Sequence, residues 1–313
     1  MTDTHTTTRP SFIDFDVDLG AHPGAPWEGW WLASTVRGAG RNWGVQVMAT
    51  LVEDETLVIT TSVSDLDAGT TTGKSAPIEN GEFDVATGRL DISSSRAALS
   101  IDDDGDIRVT GTVTEDITFE LTIRQTLPVV LNGGAASFPF GDGRTWQYSL
   151  PALAVTGTLT TAGDTFAVEG RGWFDRQWCD LPLSKMAALS FTWMGLCLDN
   201  DDTLSIWDFT PSNPERGAFA TIVHPNGTHE IVPVEPVERA ASDRRAATSG
   251  NNYPGRWRVS VPSRAIELEV THTELFSRQS RPLYVGALSV TGSANGLPVS
   301  GYGFCDLVGW VAD

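Results

Sequence analysis

The chain has 313 residues, 40% of them hydrophobic and 19% charged, with a formal net charge of -19. That length is enough for two packed cores. The charge argues against a nucleic-acid partner, which needs Lys and Arg clustered on one face, whereas only 21 such residues are spread along this chain.

The segment 1–10 is polar and lacks the apolar run of a signal peptide, and no stretch approaches a membrane span. Residues 1–20 therefore read as a disordered leader on a cytoplasmic protein without membrane insertion. Cys179, Cys197 and Cys305 are an odd number without metal-like spacing, which suits reduced, buried thiols. From Glu28 onward, short alternating runs rich in Val, Ile, Thr and Trp are broken by turn pairs such as Asn80-Gly81, Gly163-Asp164 and Asn295-Gly296. This predicts an all-β chain. Strands are expected at 30–36, 43–51, 57–63, 107–113, 117–125, 154–159 and 166–173, with 128–144 a long loop over a pocket mouth. A linker at 182–188 precedes a second series at 191–198, 204–209, 219–223, 230–234, 257–261, 266–271, 284–291 and 299–308, and eight strands suffice for a small barrel. The polar stretch 235–253 reads as a loop. Two β domains are thus expected, 21–181 and 182–313.

Two clusters carry the chemistry. The stretch Gly172-Trp-Phe-Asp-Arg-Gln-Trp178 and the run from Leu189 to Leu198, with Trp193, place an acid, a cation and an amide among indoles. Such polar residues in an aromatic run need hydrogen-bonded partners or a ligand-filled cavity. Earlier, Trp27, Glu28, Trp30 and Trp31 stand together, and on a strand Trp30 faces opposite to Trp31 while Glu28 shares its face. Asp208, in Ile206-Trp207-Asp208-Phe209, is a further acid, more readily read as a strand-end residue satisfied by backbone amides. Eleven tryptophans against four tyrosines suit a pocket that grips a hydrophobic small molecule by dispersion. No Gly-x-Ser-x-Gly elbow, Walker loop, dinucleotide fingerprint or His-Glu-x-x-His helix is present, and the acidic run 102–106 reads as a hairpin turn rather than a calcium loop, so no metal or cofactor is expected.

The residues Glu28-Gly-Trp-Trp31, Asp175-Arg-Gln-Trp178 with Phe191-Thr-Trp193, and the tail from Val290 to Phe304 resemble the lipocalin-like carotenoid hydratase and AttH superfamily, which includes kievitone hydratase and fungal decalin-forming Diels-Alderases. The resemblance implies two lipocalin-like antiparallel β-barrels packed side by side, an apolar pocket between or within them, and chemistry on hydrophobic unsaturated molecules without a redox cofactor. It also implies a histidine after the motif aspartate in the hydratases. Here that position is Arg176, which cannot shuttle a proton near neutral pH.

The leading expectation is a cofactor-free cyclase of secondary metabolism, of the [4+2] cycloaddition type, acting on a polyene, polyketide or terpenoid. Asp175, Arg176, Gln177, Glu28 and Asp208 are the candidate catalytic residues, and Trp30, Trp31, Trp178, Trp193 and Trp207 the candidate substrate-binding ones. In the alternative, a hydratase or proton-initiated cyclase, Asp175 or Asp208 is a protonated donor and Glu28 the acceptor. A non-catalytic carrier needs the pocket and none of its acids. The protein is expected to act as a monomer or dimer. The direction of Arg176 separates the enzymatic readings: beside the pocket acids it holds them ionised, and turned away it leaves them free to stay protonated.

Overall fold

The computed structural model describes residues 13–186, 188–213, 215, 217–237, 241–279 and 282–309. Among these, 13 antiparallel strands lying between Trp27 and Cys179 form one sheet, and 8 between Phe191 and Val308 form a second. Each sheet curls on itself. In the first, Thr61 Oγ1 of strand Thr56–Asp65 donates to the carbonyl of Thr112 in strand Ile107–Thr114 at 2.9 Å. In the second, the Glu235 amide donates to the Ser260 carbonyl at 3.0 Å, joining the two ends of the sheet. The fold is all-β, with two lipocalin-like barrels.

The burial of individual strands shows why they pack this way. Strand Ile107–Thr114 alternates buried and exposed at every position, as a strand with one face on a core and one in water must. Strand Phe191–Leu198 is buried at every position. Its two faces serve two cores: Met194 and Leu196 point into the second barrel, and Phe191 and Trp193 into a third cluster between the barrels. That third cluster, with Trp27, Phe140, Trp173 and Trp207, holds the two units together.

Four sequence expectations are revised. The predicted leader falls partly on residues 1–12, which lie outside the described residues; residues 13–20 are ordered, with a helical turn Phe15–Asp18 and a Leu19 carbonyl that accepts from Trp30 Nε1 at 2.7 Å. The stretch 128–144 is not a plain loop. It carries strands Val130–Leu131 and Ser137–Phe140, both paired to the long strand Gly143–Thr161, and Gly133 N donates to Thr221 Oγ1 of the second barrel at 2.9 Å. The linker contains a helical turn, Leu183–Met186, and the loop 235–253 a small hairpin of Arg245–Ala246 with Asn252–Tyr253. The acidic run is a turn, with Asp102 and Asp106 engaged by Arg108 and Arg124. Among the described residues no helix is long and apolar enough to cross a membrane.

Candidate functional site between the barrels

Strand Trp27–Gly38 pairs with strand Asp164–Cys179 so that Glu28 faces Trp178, Trp30 faces Arg176 and Trp31 faces Asp175. Directly opposed residues share a face, and neighbours along a strand do not. The motif is therefore split: Glu28, Trp30, Arg176 and Trp178 lie on the inner face of the first barrel, and Trp27, Trp31, Asp175 and Gln177 on its outer face, towards the second barrel.

On the inner face, Arg176 is completely buried. It forms an ion pair with Glu28, donates from Nε to the Asp18 carbonyl at 2.9 Å, and reaches the carbonyls of Gly20 at 2.6 Å, Gln177 at 3.0 Å and Gly29 at 3.2 Å. Its guanidinium stacks on Trp30, 4.1 Å from the ring centre. Burial pushes the Glu28 carboxyl up, but Arg176 and His22 together outweigh it and hold it below its ordinary value. His22 Nε2 meets Asp18 at 2.9 Å, while its Nδ1 lies 3.2 Å from Glu28 and 2.9 Å from Arg176. This network ties segment 18–22 to the barrel. It is a structural clamp, so the expectation that Arg176 and Glu28 act in the pocket is corrected, as is pocket lining by Trp30 and Trp178. Trp178 instead lies between His22 and Trp146, with ring centres at 4.0 and 6.2 Å.

On the outer face, the two barrels enclose a cavity of about 370 Å³. The first barrel contributes Trp27, Trp31, Met48, Gln147, Asp175 and Gln177, and the second Phe191, Trp193, Trp207, Arg278, Asp306 and Val308. Trp31 can lie flat because residue 29 is glycine: a Cβ there would come within 2.4 Å of the Trp31 ring. Gly29→Ala is accordingly expected to push the indole off the wall and cost about 1–3 kcal/mol by overpacking, measurable by urea denaturation.

Two carboxyls face this cavity. Asp175 sits under three donors that all converge on Oδ1: Ser149 Oγ at 2.5 Å, Trp173 Nε1 at 3.1 Å and Gln147 Nε2 at 3.4 Å. The chain of bonds continues through Asn132 and Ser205 to Trp193 Nε1, which fixes the carboxyl from both barrels. Oδ2 receives none of these bonds and is the oxygen left to carry a proton. Burial raises Asp175 to about 7 against the three donors, with no cation paired to it. Asp306, partly accessible, stands opposite Trp193 and makes no hydrogen bond or ion pair among the described residues. Burial and the nearby charge of Asp175 raise it to about 8.

Gln177 also lines the cavity, held by Thr145 Oγ1 at 2.8 Å, as do Trp31, Trp193 and Trp207. Asp208 does not. It caps the end of strand Thr203–Asp208, accepting from the Thr210 amide at 2.9 Å and hydroxyl at 2.6 Å, which corrects its candidate role. Sequence reasoning missed Asp306, Gln147, Ser149 and Arg278. For Asp306 a signal existed: it is a lone acid in the apolar run Gly303-Phe-Cys-Asp-Leu-Val308, the same kind of anomaly that marks Asp175. Among the described residues, no group of His, Cys, Asp and Glu is arranged to hold a metal ion.

The architecture defines a class: two lipocalin-like barrels sharing an indole-walled cavity that two carboxyls face. The chain belongs to the AttH-like family, whose pattern it matches over residues 6–310. It is 27% identical over 210 residues to the dehydratase asqC of Emericella nidulans, covering 62% of this chain and 58% of that one. To the kievitone hydratase of Fusarium solani subsp. phaseoli it is 26% identical over 211 residues, covering 62% and 57%. The chain thus matches less than two thirds of the length of either relative. Its fold is similar to the crystal structure of an AttH protein of Nitrosomonas europaea, with a TM-score of 0.78, 21% identity and coverage of 96% and 97%.

Proposed function

We propose that the protein is a cofactor-independent enzyme of secondary metabolism that adds water to, or removes it from, an apolar small molecule, using Asp175 and Asp306 as the acid–base pair. One observation carries the reading: two carboxyls line an apolar cavity, neither paired with a cation, both raised towards neutrality. At neutral pH Asp306 keeps its proton, and Asp175 is divided between its two forms. In dehydration, the Asp175 carboxylate takes a proton from carbon while Asp306 protonates the hydroxyl on the adjacent carbon. The C–O bond breaks, C=C forms, water leaves, and the net transfer is one proton from Asp306 to Asp175. Hydration is the same path reversed, with Asp175 donating to the alkene and Asp306 taking a proton from water. Names of both directions among the relatives, a dehydratase and a hydratase, support this reading.

Arg176 turns away from the cavity, so it cannot polarise a substrate carbonyl there, and cyclisation assisted by that residue loses its support. A ring closure begun by a proton from the same acid pair is the second reading, favoured by the indole walls that would fold the substrate. Because one chain builds the whole cavity, a monomer suffices.

The pH–rate profile tests the pair. For dehydration a narrow bell is expected, with apparent limbs at about 7 and about 8, falling on the acid side as Asp175 gains its proton and on the basic side as Asp306 loses its own. In heavy water, an accepted alkene should acquire one deuterium at carbon. A flat profile between pH 5 and pH 9 together with a product free of deuterium would overturn the proposal.

A further inference from the structure

The cavity also holds a cation, Arg278, that has no counter-charge among the described residues. Arg278 ends strand Ile266–Arg278, where its hairpin turns back into strand Leu283–Ala294. It lines the cavity, its Nε is buried without a hydrogen-bond partner, and its guanidinium makes no ion pair among the described residues.

The acids do not compensate it. Arg278 stands opposite Leu283 and Leu283 opposite Val308, while Asp306 lies two residues further along that strand on the same face. At ~4.8 Å between strands and ~3.3 Å per residue, the backbones of Arg278 and Asp306 are roughly 12 Å apart. No ion pair joins Arg278 to Asp175 or Asp306 among the described residues. The side chain is half-buried with its Nε shielded from water, and a partly desolvated guanidinium without a counter-charge favours an anion that enters the cavity and pairs with it.

We infer that Arg278 is the specificity-determining anchor for an anionic oxygen on the substrate, a carboxylate, enolate or phenolate, and that the cavity takes an apolar, ring-bearing anion in preference to a neutral hydrocarbon. Guanidinium matches such oxygens through parallel N–H donors. The inference rests on the interbarrel cavity being the substrate site. It adds orientation: the anionic end lies at Arg278, the indoles hold the body, and the reacting carbons reach the acids.

Two fluorescent probes of nearly the same shape isolate the charge: 8-anilinonaphthalene-1-sulfonate, an anion, and N-phenyl-1-naphthylamine, which lacks the sulfonate. The native protein should bind the anion at least ~10-fold tighter, against the pull of its net charge of -19. Arg278→Gln should weaken the anion by ~10–100-fold, the worth of a charged hydrogen bond, and leave the neutral probe within ~2-fold, which also shows that the variant is folded. Arg278→Lys should fall between. Thr50 also lines the cavity, and Thr50→Trp, which narrows it, should weaken both probes. Equal binding of the two probes to the native protein, equal loss of both in Arg278→Gln, or Thr50→Trp without effect on either would overturn the inference. Failure here is distinct from failure of the acid–base reading: turnover persisting in Asp175→Asn sinks that reading and leaves this one, and anion preference persisting in Arg278→Gln does the reverse.

Discussion

Asp175→Asn is expected to abolish turnover and at the same time stabilise the fold above neutral pH. The amide cannot exchange a proton, so the loss should be about 10²–10⁴-fold in kcat, the usual contribution of a positioned acid or base. Stability moves the other way because the native environment opposes the charge. An acid at 3.8 in the unfolded chain and about 7 in the native one is ionised unfolded but protonated folded between those values. The native state then binds more protons, so stability falls as pH rises from about 4 to about 7 and stays low above that. Asn keeps the neutral form at every pH and retains the oxygen that accepts from Ser149, Trp173 and Gln147. Its advantage should grow across that window and level off at up to about 4 kcal/mol. Urea denaturation at pH 5 and pH 8.5, beside kcat for both proteins, reads the two effects. A variant destabilised at pH 8.5, or one that keeps its rate, contradicts the role. Asp306→Asn should lose rate comparably, since each step needs both groups.

Arg176→Met should leave the chemistry's groups in place and damage the fold. Removing the cation strands the Glu28 carboxylate at 1% exposure and frees the carbonyls of Asp18 and Gly20 from their donor. Breaking one side of a buried ion pair costs about 3–5 kcal/mol, a large part of a typical stability of about 5–15 kcal/mol. Arg176→Lys should recover little, because a point-charge ammonium cannot reproduce a planar fork spread over Glu28 and several carbonyls. Arg176→Met combined with Glu28→Leu should recover much of the loss, since no charge is then left unpaired. The native pair also sets an acid limit. Glu28 is held below 4.5, so its contribution is complete above the unfolded value and is lost as pH falls through the lower, native one. The midpoint of acid unfolding should therefore shift upward in Arg176→Met, read by tryptophan fluorescence. Unchanged urea and acid midpoints would show that the clamp is not structural.

Much of this molecule is local and was therefore legible. Alternating Val, Ile and Thr runs with Asn-Gly and Gly-Asp turns specify hairpins, because side-chain period and turn chemistry act over a few residues. Alternation also separated Trp30 from Trp31 and Arg176 from Gln177, and marked Asp175 as an acid in an apolar setting. What alternation leaves undetermined is which of two buried faces looks into a barrel and which at its neighbour. Strands such as Phe191–Leu198 are apolar on both sides, so pattern alone assigns neither. Only the closing of the first sheet and its docking on the second sent Arg176 with Glu28 inward as a clamp and turned Asp175 with Gln177 outward. The same docking brought Asp306 and Arg278, from hairpins distant in sequence, to the cavity that Asp175 enters. The sequence by itself determined the strands, their alternation and the presence of buried acids; the tertiary structure decided which acids share a cavity, because that depends on long-range packing between two barrels and not on any local period.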